Sequence, residues 1–197
     1  MSKGPRRLPV TLAAAIVVSL WVPYTLLNTI YPGPNVTYAL GLALTGLGLG
    51  ALWLAGIPAQ DCFVRLAGVS RQGAVALGVL SVYIPLVLLA GYGRPWNWVA
   101  DLVYAPASAI AQELYFRAAL LSALTILTPK QPRAGVMLQA LMYALWHARA
   151  FEVVPVAPAL VVLAGTFVAG ALWGWQVRHD RTVIYAALQH TLFLIVV

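Results

Sequence analysis

Long apolar stretches, separated by short polar breaks rich in proline and glycine, make up most of the chain. The pattern predicts helices over residues 8–30, 36–57, 73–91, 98–127, 134–148, 157–177 and 182–197. A transmembrane helix needs about 20 consecutive apolar residues, and most of these segments approach or exceed that length. The sequence therefore predicts an all-α fold, a polytopic membrane helical bundle of about seven transmembrane helices.

The composition agrees with this prediction and excludes other classes of protein. Of 197 residues, 62% are hydrophobic and 9% are charged, whereas a soluble domain is about half apolar and about a quarter charged. A chain so poor in charge is neither a soluble globular domain nor a disordered one. The helices leave no room for a soluble domain, so we expect residues 1–197 to form a single transmembrane domain. The single cysteine, Cys62, excludes an internal disulfide and a CxxC metal site.

The net charge of +7 is explained by where the basic residues lie. Nine of the 12 Lys and Arg residues fall on one face of the predicted bundle, namely Lys3, Arg6, Arg7, Arg65, Arg71, Lys130, Arg133, Arg178 and Arg181. Cytoplasmic loops concentrate Lys and Arg, so this face is predicted to be cytoplasmic. We expect a multi-pass protein of the cell membrane with its N-terminus in the cytoplasm and its C-terminus outside. The lipid bilayer accounts for the charge, and no nucleic-acid partner is needed.

Several segments have local features that lead to further expectations. No small-x-small cleavage site follows the first apolar stretch, so it is predicted to be an uncleaved helix. Gly46 and Gly50 form a small-xxx-small face suited to close helix packing. The segment 98–127 has 30 residues, about 45 Å as a helix, so either Pro106 kinks it or residues 98–105 run along the external interface. The segment 61–72 is either an interfacial helix or a plain loop.

A few polar side chains fall inside the predicted spans, where a charge costs about 2.5–3.5 kcal/mol. The candidates are Gln112, Glu113, Arg117, His147 and His190. Glu113 and Arg117 are four residues apart and can form an ion pair on one helix face. That pair alone is as consistent with a structural lock as with chemistry. Two histidines on separate helices favour a site that handles a proton or a water molecule.

Three short motifs contain these residues, in order, on three predicted helices. They read Gln112-Glu113-Leu114-Tyr115-Phe116-Arg117, Tyr143-Ala-Leu-Trp-His147 and His190-Thr-Leu-Phe-Leu194. The trio resembles the motifs Glu-Glu-x-x-x-Arg, Phe-x-x-x-His and His-x-x-x-Asn of the CPBP family of intramembrane proteases, also called CAAX-processing or Abi proteases. The resemblance covers about residues 105–197, and we expect the protease-like core to lie at about 98–197.

The resemblance implies an intramembrane endopeptidase that cleaves a membrane-anchored or exported protein near its C-terminus. Glu113 would accept the proton of the attacking water, with Gln112 positioning that water and Arg117 favouring the charged form of the carboxylate. His147 would help to bind the water, and His190 would stabilise the oxyanion or protonate the leaving group. The chain departs from the family pattern at Gln112, because an amide is not a general base, and at Leu194.

Alternatives remain at the level of the sequence. Glu113, His147 and His190 are also a plausible zinc set, although we favour a site without a metal or other cofactor. The expected partner is a membrane-embedded or lipid-anchored protein substrate. The departures leave open a catalytically attenuated CPBP-like protein that acts as a peptide-binding or bacteriocin-immunity factor. A small transporter is less favoured because no inverted repeat is visible. Ser108 has no nucleophile-elbow glycines around it and is interpreted as a small packing residue.

Overall fold

The structure, a computed structural model, describes residues 8–31, 33–66, 71, 74, 75, 78 and 96–196. No described residue is in a β-strand. The helices are α1 (Val10–Ile30, with a turn at Leu20), α2 (Pro34–Leu54), α3 (Ala100–Leu127), α4 (Pro132–Trp146), α5 (Val156–Asp180) and α6 (Ile184–Val196). The helix predicted over residues 73–91 lies almost entirely outside the described residues.

Four of the described helices are long and apolar enough to cross a membrane. These spans are Val10–Ile30, Thr37–Leu54, Ala100–Leu127 and Val156–Asp180. Helices α4 and α6, with 15 and 13 residues, are shorter. Large apolar side chains are exposed on the outside of the helices, as expected where the surrounding solvent is lipid rather than water. The predicted all-α membrane helical bundle is confirmed.

Helix α3 lies at the centre of the bundle and packs against α1, α2, α4 and α6. Its second half is buried on almost every side. On the side of α1, the contact is made by small residues, with Ala119 and Ala123 against Ala13 and Ala14. On the side of α4, the contact is aromatic. A helix surrounded in this way has its polar side chains in the protein interior rather than in lipid, which is where such residues are tolerated.

The backbone of α3 is not a uniform α-helix. It is π-helical over Ala100–Tyr104 and again over Leu114–Leu120, with α-helix between and after these segments. Pro106 lies in the first turn after the first π-helical segment, where the change of backbone geometry accommodates a residue without an N–H. The second π-helical segment begins directly after Glu113. Such π-helical turns inside α-helices are frequent at functional sites.

The small-residue contacts of α2 differ from the prediction. No atom of a described residue lies within 4 Å of a Cβ added at Gly46 or Gly50, whereas a Cβ at Gly48 would be 3.4 Å from the Cβ of Ala119. The prediction that Gly46 and Gly50 form the packing face is therefore wrong for the described neighbours. Residues two apart lie on nearly opposite faces of a helix, and the face that packs is the one carrying Gly48.

A closer small-residue contact joins α4 and α5. A Cβ at Gly170 would lie 3.1 Å from the Cα of Ala140, and a Cβ at Gly174 would lie 2.7 Å from Oε1 of Gln139. Gly170 and Gly174 are four residues apart, so they face α4 together and allow the two backbones to approach closely. This small-xxx-small face was not recognised in the sequence.

The loops that carry most of the basic residues meet at one end of the bundle. Nε of Arg65 donates to the carbonyl of Arg181 at 2.9 Å, and the hydroxyl of Thr182 donates to the carbonyl of Arg65 at 2.7 Å. Arg178 donates to the carbonyl of Pro132 at the start of α4. In the segment 61–72, residues 61 and 62 complete a single turn of 3-10 helix, Ala59–Cys62. Residues 63–66 continue as a loop that docks on residues 181–183.

Candidate active site

The carboxylate of Glu113 is fully buried and is held by two other buried side chains. Its Oε1 lies 3.1 Å from Nη1 of Arg117, which follows on the next turn of α3. The same oxygen lies 2.9 Å from Nδ1 of His190 on α6. No described residue donates a hydrogen bond to Oε2, which leaves this oxygen available as an acceptor. The structure therefore brings together three of the predicted site residues around one carboxylate oxygen.

Arg117 is fully buried and is surrounded by aromatic rings. The centre of its guanidinium lies 4.1 Å from the ring centroid of Tyr143 and 5.4 Å from that of Trp173. A cation over an aromatic face is stabilised electrostatically, more strongly in the interior than at the surface. Its nitrogens make no hydrogen bond to a described residue, so the contact with Glu113 is an ion pair by distance. Glu113 is thus the carboxylate that balances this charge.

Tyr143 connects the ion pair to Gln112. Its hydroxyl lies 3.4 Å from Oε1 of Gln112 and 3.5 Å from Nε2 of His190, both long hydrogen bonds. Nε2 of Gln112 donates to the hydroxyl of Ser108 at 2.9 Å. Ser108 is therefore more than the small packing residue that the sequence predicted, because its hydroxyl orients the carboxamide of Gln112 towards Tyr143.

His147 lies at the C-terminal end of α4, one aromatic ring away from the ion pair. Its Nδ1 is 2.9 Å from the carbonyl of Tyr143, and its ring packs edge-on against the rings of Tyr143 and Trp146. A carbonyl only accepts, so Nδ1 carries the proton and the neutral ring has Nε2 as an acceptor. His147 therefore borders the site but forms no hydrogen bond or ion pair with the described side chains of Glu113 and Arg117.

Two cavities reach these residues from different sides. The Glu113 cavity, about 760 Å³, lies between α3 and α6 and extends from Glu113 to Val64, Arg65 and Val183. The histidine cavity, about 460 Å³, lies between α4, α5 and α6 and is lined by Tyr143, His147, Trp173, His190 and Leu194. His190 lines the histidine cavity while its Nδ1 contacts the carboxylate that borders the Glu113 cavity. The site is thus bordered by a cavity on each of two sides.

Two residues of the site were given no role in the sequence analysis. Tyr143 stands at the first position of the second motif, where the family pattern has Phe, and this difference was a signal for its hydroxyl. Trp173 stacks on the His190 ring with centroids 4.8 Å apart. It lies on α5, which carries none of the motifs, and only the tertiary structure reveals it.

Other candidate chemistries find less support in the geometry. The described residues include no group of three or more His, Cys, Asp or Glu side chains placed to hold a metal ion. The zinc set of Glu113, His147 and His190 is therefore not assembled. Cys62 is buried in the turn after α2. Burial raises the pKa of its thiol, which makes it a poor nucleophile at neutral pH.

Comparison with known proteins gives one match. The model of the family described as Type II CAAX prenyl endopeptidase Rce1-like matches residues 94–196, more than half of the chain. No curated protein and no solved structure matches the chain. The matched region contains all three motifs and the two residues, Arg117 and His190, that pair with Glu113 among the described residues.

Proposed function

Because the chain belongs to the family of Rce1-like type II CAAX prenyl endopeptidases, we propose that it is an intramembrane endopeptidase that uses Glu113 to activate water. The substrate in this proposal is a membrane-anchored protein, cleaved near its C-terminus. The family is one of proteases and supplies the class of reaction. The observation that carries the proposal is the carboxylate of Glu113, with Oε1 held by Arg117 and His190 and Oε2 not bonded to a described residue.

In the proposed reaction, Glu113 is the general base. Arg117, at 3.1 Å, supplies the counter-charge of the Glu113 carboxylate. Oε2 accepts a proton from a water molecule as that water attacks the scissile carbonyl, and the carboxylic acid then returns the proton to the leaving amine. Fixing Oε1 with two partners keeps the carboxylate from rotating, which contributes to catalysis by holding the reacting groups in orientation.

His190 and Tyr143 orient the groups next to the base. An ionised carboxylate only accepts, so Nδ1 of His190 donates to Glu113 and Nε2 is left as an acceptor for the Tyr143 hydroxyl. This hydroxyl has one hydrogen and two long contacts, so it can turn towards a developing oxyanion at little cost. His147, with its Nε2 as an acceptor, would help to bind the water. Hydrogen-bond donors that are aimed at a developing oxyanion, as proposed for the Tyr143 hydroxyl, commonly supply a large part of the rate enhancement.

Gln112 has a supporting role in this mechanism. Its oxygen accepts from Tyr143 and its nitrogen donates to Ser108, so the carboxamide offers the Tyr143 hydroxyl one of the two acceptors between which it can turn. A carboxamide is not a proton acceptor of the required strength. The site therefore works with a single carboxylate, Glu113, and the departure from the family motif lowers the rate without removing the base.

The position of the Glu113 cavity supports a membrane-anchored substrate over an exported one. The cavity is mainly apolar and extends from Glu113 to Val64 and Arg65, at the end of the bundle where the basic loops meet. We propose that this end faces the cytoplasm, as the positive-inside rule indicates. An apolar C-terminal segment would then enter from the cytoplasmic leaflet and reach Glu113 within the membrane.

The proposal is tested by comparing C-terminal peptides in membranes. Membranes of cells that lack the protein are compared, by mass spectrometry, with membranes containing wild type, Glu113→Gln or Glu152→Gln at equal levels. Glu152 is the matched control because it is an exposed carboxylate that pairs with Arg149. Shortened C-termini should appear with wild type and Glu152→Gln and be absent with Glu113→Gln. Identical peptides in all samples would contradict the proposal.

A second candidate, a peptide-binding or immunity protein with an attenuated site, is favoured by Gln112 and Leu194. In that case Glu113→Gln would leave protection or partner binding intact while no wild-type cleavage is found. The same set of membranes distinguishes the two functions.

A further inference from the structure

We propose that a groove between α4 and α5 at the basic end of the bundle binds an anionic phospholipid. The groove has a volume of about 600 Å³ and is lined on one side by Arg133 and Met137 and on the other by Leu172, Trp175 and Arg178. It is separate from the Glu113 and histidine cavities and shares no lining residue with them. The inference does not depend on the proposed peptidase activity.

The apolar wall of the groove faces the position of the bilayer. The exposed fractions are 47% for Met137, 62% for Leu172 and 53% for Trp175. Trp175 lies near the C-terminal end of α5, a helix long enough to cross the membrane. Tryptophan at this depth is typical of the membrane interface. The groove therefore begins at the level of lipid headgroups and continues along the level of acyl chains.

The mouth of the groove is positively charged. Arg178 is half-buried and is oriented by its hydrogen bond to the carbonyl of Pro132, while Arg133 is exposed. Helix α4 begins at Pro132, so the positive end of its dipole is at the same place. The nearby carboxylate is that of Asp180, which is buried and lies 3.4 Å from Nδ1 of His179. The two guanidinium groups are therefore the charges that an entering ligand meets.

This combination matches an amphipathic anion. Guanidinium groups are well suited to bind phosphate oxygens, and a basic pocket between transmembrane helices is a typical site for an anionic headgroup. The exposed apolar side chains beyond the mouth offer contacts for acyl chains, which a soluble phosphate does not have. Charge complementarity and the continuous apolar wall thus point to the same ligand.

The experiment uses the full chain, purified in a neutral detergent and titrated with phosphatidylglycerol, with binding followed by native mass spectrometry. Arg133→Gln and Arg178→Gln should each weaken binding about fivefold, the factor that corresponds to about 1 kcal/mol for one cationic contact. Lys130→Gln is the matched control, since it removes one charge from the same end of the protein but does not line the groove. It should change binding less than twofold.

Two further comparisons identify the ligand. Phosphatidylcholine should bind at least fivefold more weakly than phosphatidylglycerol, and glycerol 3-phosphate should not displace the lipid at equal concentration. Arg133→Gln is exposed and keeps the test valid if Arg178→Gln does not fold. Equal binding by wild type and Arg133→Gln, an equal loss with Lys130→Gln, equal binding of the neutral lipid, or displacement by glycerol 3-phosphate would each overturn the proposal.

Discussion

The Glu113 cavity and the histidine cavity meet at His190, yet they differ in what they bring to the site. The Glu113 cavity has a carboxylate with its counter-charge directly behind it, and its walls are mainly apolar. The histidine cavity is lined by aromatic rings and imidazoles and contains no carboxylate among its described residues. In the proposed reaction, the Glu113 cavity therefore supplies the proton acceptor, and the histidine cavity supplies hydrogen-bonding groups.

This difference shows that the two histidines are not equivalent, although both stand in motifs. His190 donates directly to Glu113 and stacks on Trp173. His147 is oriented by a backbone carbonyl and lies beside Tyr143. Substitutions should therefore have larger effects at groups that contact the Glu113 carboxylate than at groups that do not. We expect four effects, from the largest to the smallest.

The largest effect is expected for Arg117→Leu. It leaves Glu113 buried without its counter-charge, and breaking a buried pair in this way costs about 3–5 kcal/mol of the free energy of unfolding. Arg149→Leu is the control, because its partner Glu152 is exposed and Arg149 itself is only half-buried, which makes the pair worth at most about 1 kcal/mol. Unfolding by sodium dodecyl sulfate in bicelles measures both. Equal destabilisation by the two changes would mean that the buried pair contributes no more to the free energy of unfolding than the Arg149–Glu152 pair.

The second prediction separates the histidines. His190→Ala removes the donor to Oε1, a hydrogen bond to a charged group worth about 1.5–3 kcal/mol, and should lower kcat by up to about 100-fold. His147→Ala should lower kcat about tenfold, because it removes one hydrogen bond to water, worth about 1 kcal/mol or somewhat more. The rates of cleavage of one substrate by purified variants in vesicles compare them. A larger loss with His147→Ala would contradict the conclusion that His190 is the histidine that supports the base.

The third prediction concerns Gln112→Glu, which adds a second carboxylate next to Glu113 in the sequence and within reach of the Tyr143 hydroxyl. The new side chain would still accept from Tyr143 and from the hydroxyl of Ser108, so the local hydrogen bonds persist. A second base is expected to raise turnover about tenfold. Gln112→Ala is the control and should lower turnover, because it releases Tyr143. Unchanged turnover with Gln112→Glu would mean that this position does not face the reacting water.

The smallest effect is expected for Tyr143→Phe. The ring stays over Arg117, while the hydroxyl that reaches Gln112 and His190 is lost, so kcat should fall about fivefold, as for one neutral hydrogen bond. The free energy of unfolding should change by no more than about 1 kcal/mol. Tyr115→Phe is the control, since that hydroxyl donates to the carbonyl of Val17 at 3.3 Å, on the α1 side of α3. It should leave kcat unchanged.

Much of the fold could be predicted because the signals are local. Runs of apolar residues predicted the helices, and a spacing of four placed Glu113 and Arg117 on one face. The motifs also contained His190, although only the structure shows that its Nδ1 contacts the same oxygen as Arg117. The catalytic roles of these residues stay predictions. The sequence was sufficient to identify the polar side chains that fall inside apolar spans, where their burial is costly.

The rest depends on neighbours that are distant in sequence. Gly48 is on the packing face of α2 because of where Ala119 of α3 lies, and no local pattern indicated the π-helical segment after Glu113. Trp173 and Ser108 have ordinary sequence surroundings, and their contacts with His190 and Gln112 arise only in the folded bundle. Packing of this kind leaves no periodic signal in the sequence.

The central claim is that Glu113 is the base of an intramembrane peptidase, and one rate measurement tests it most directly. Wild type, Glu113→Gln and Glu152→Gln are purified, reconstituted in vesicles and given a membrane-anchored substrate under single-turnover conditions. Glu113→Gln keeps the size of the side chain and removes the proton acceptor. The rate should fall at least about 100-fold with Glu113→Gln and stay unchanged with Glu152→Gln. Cleavage by Glu113→Gln at the wild-type rate would contradict the account.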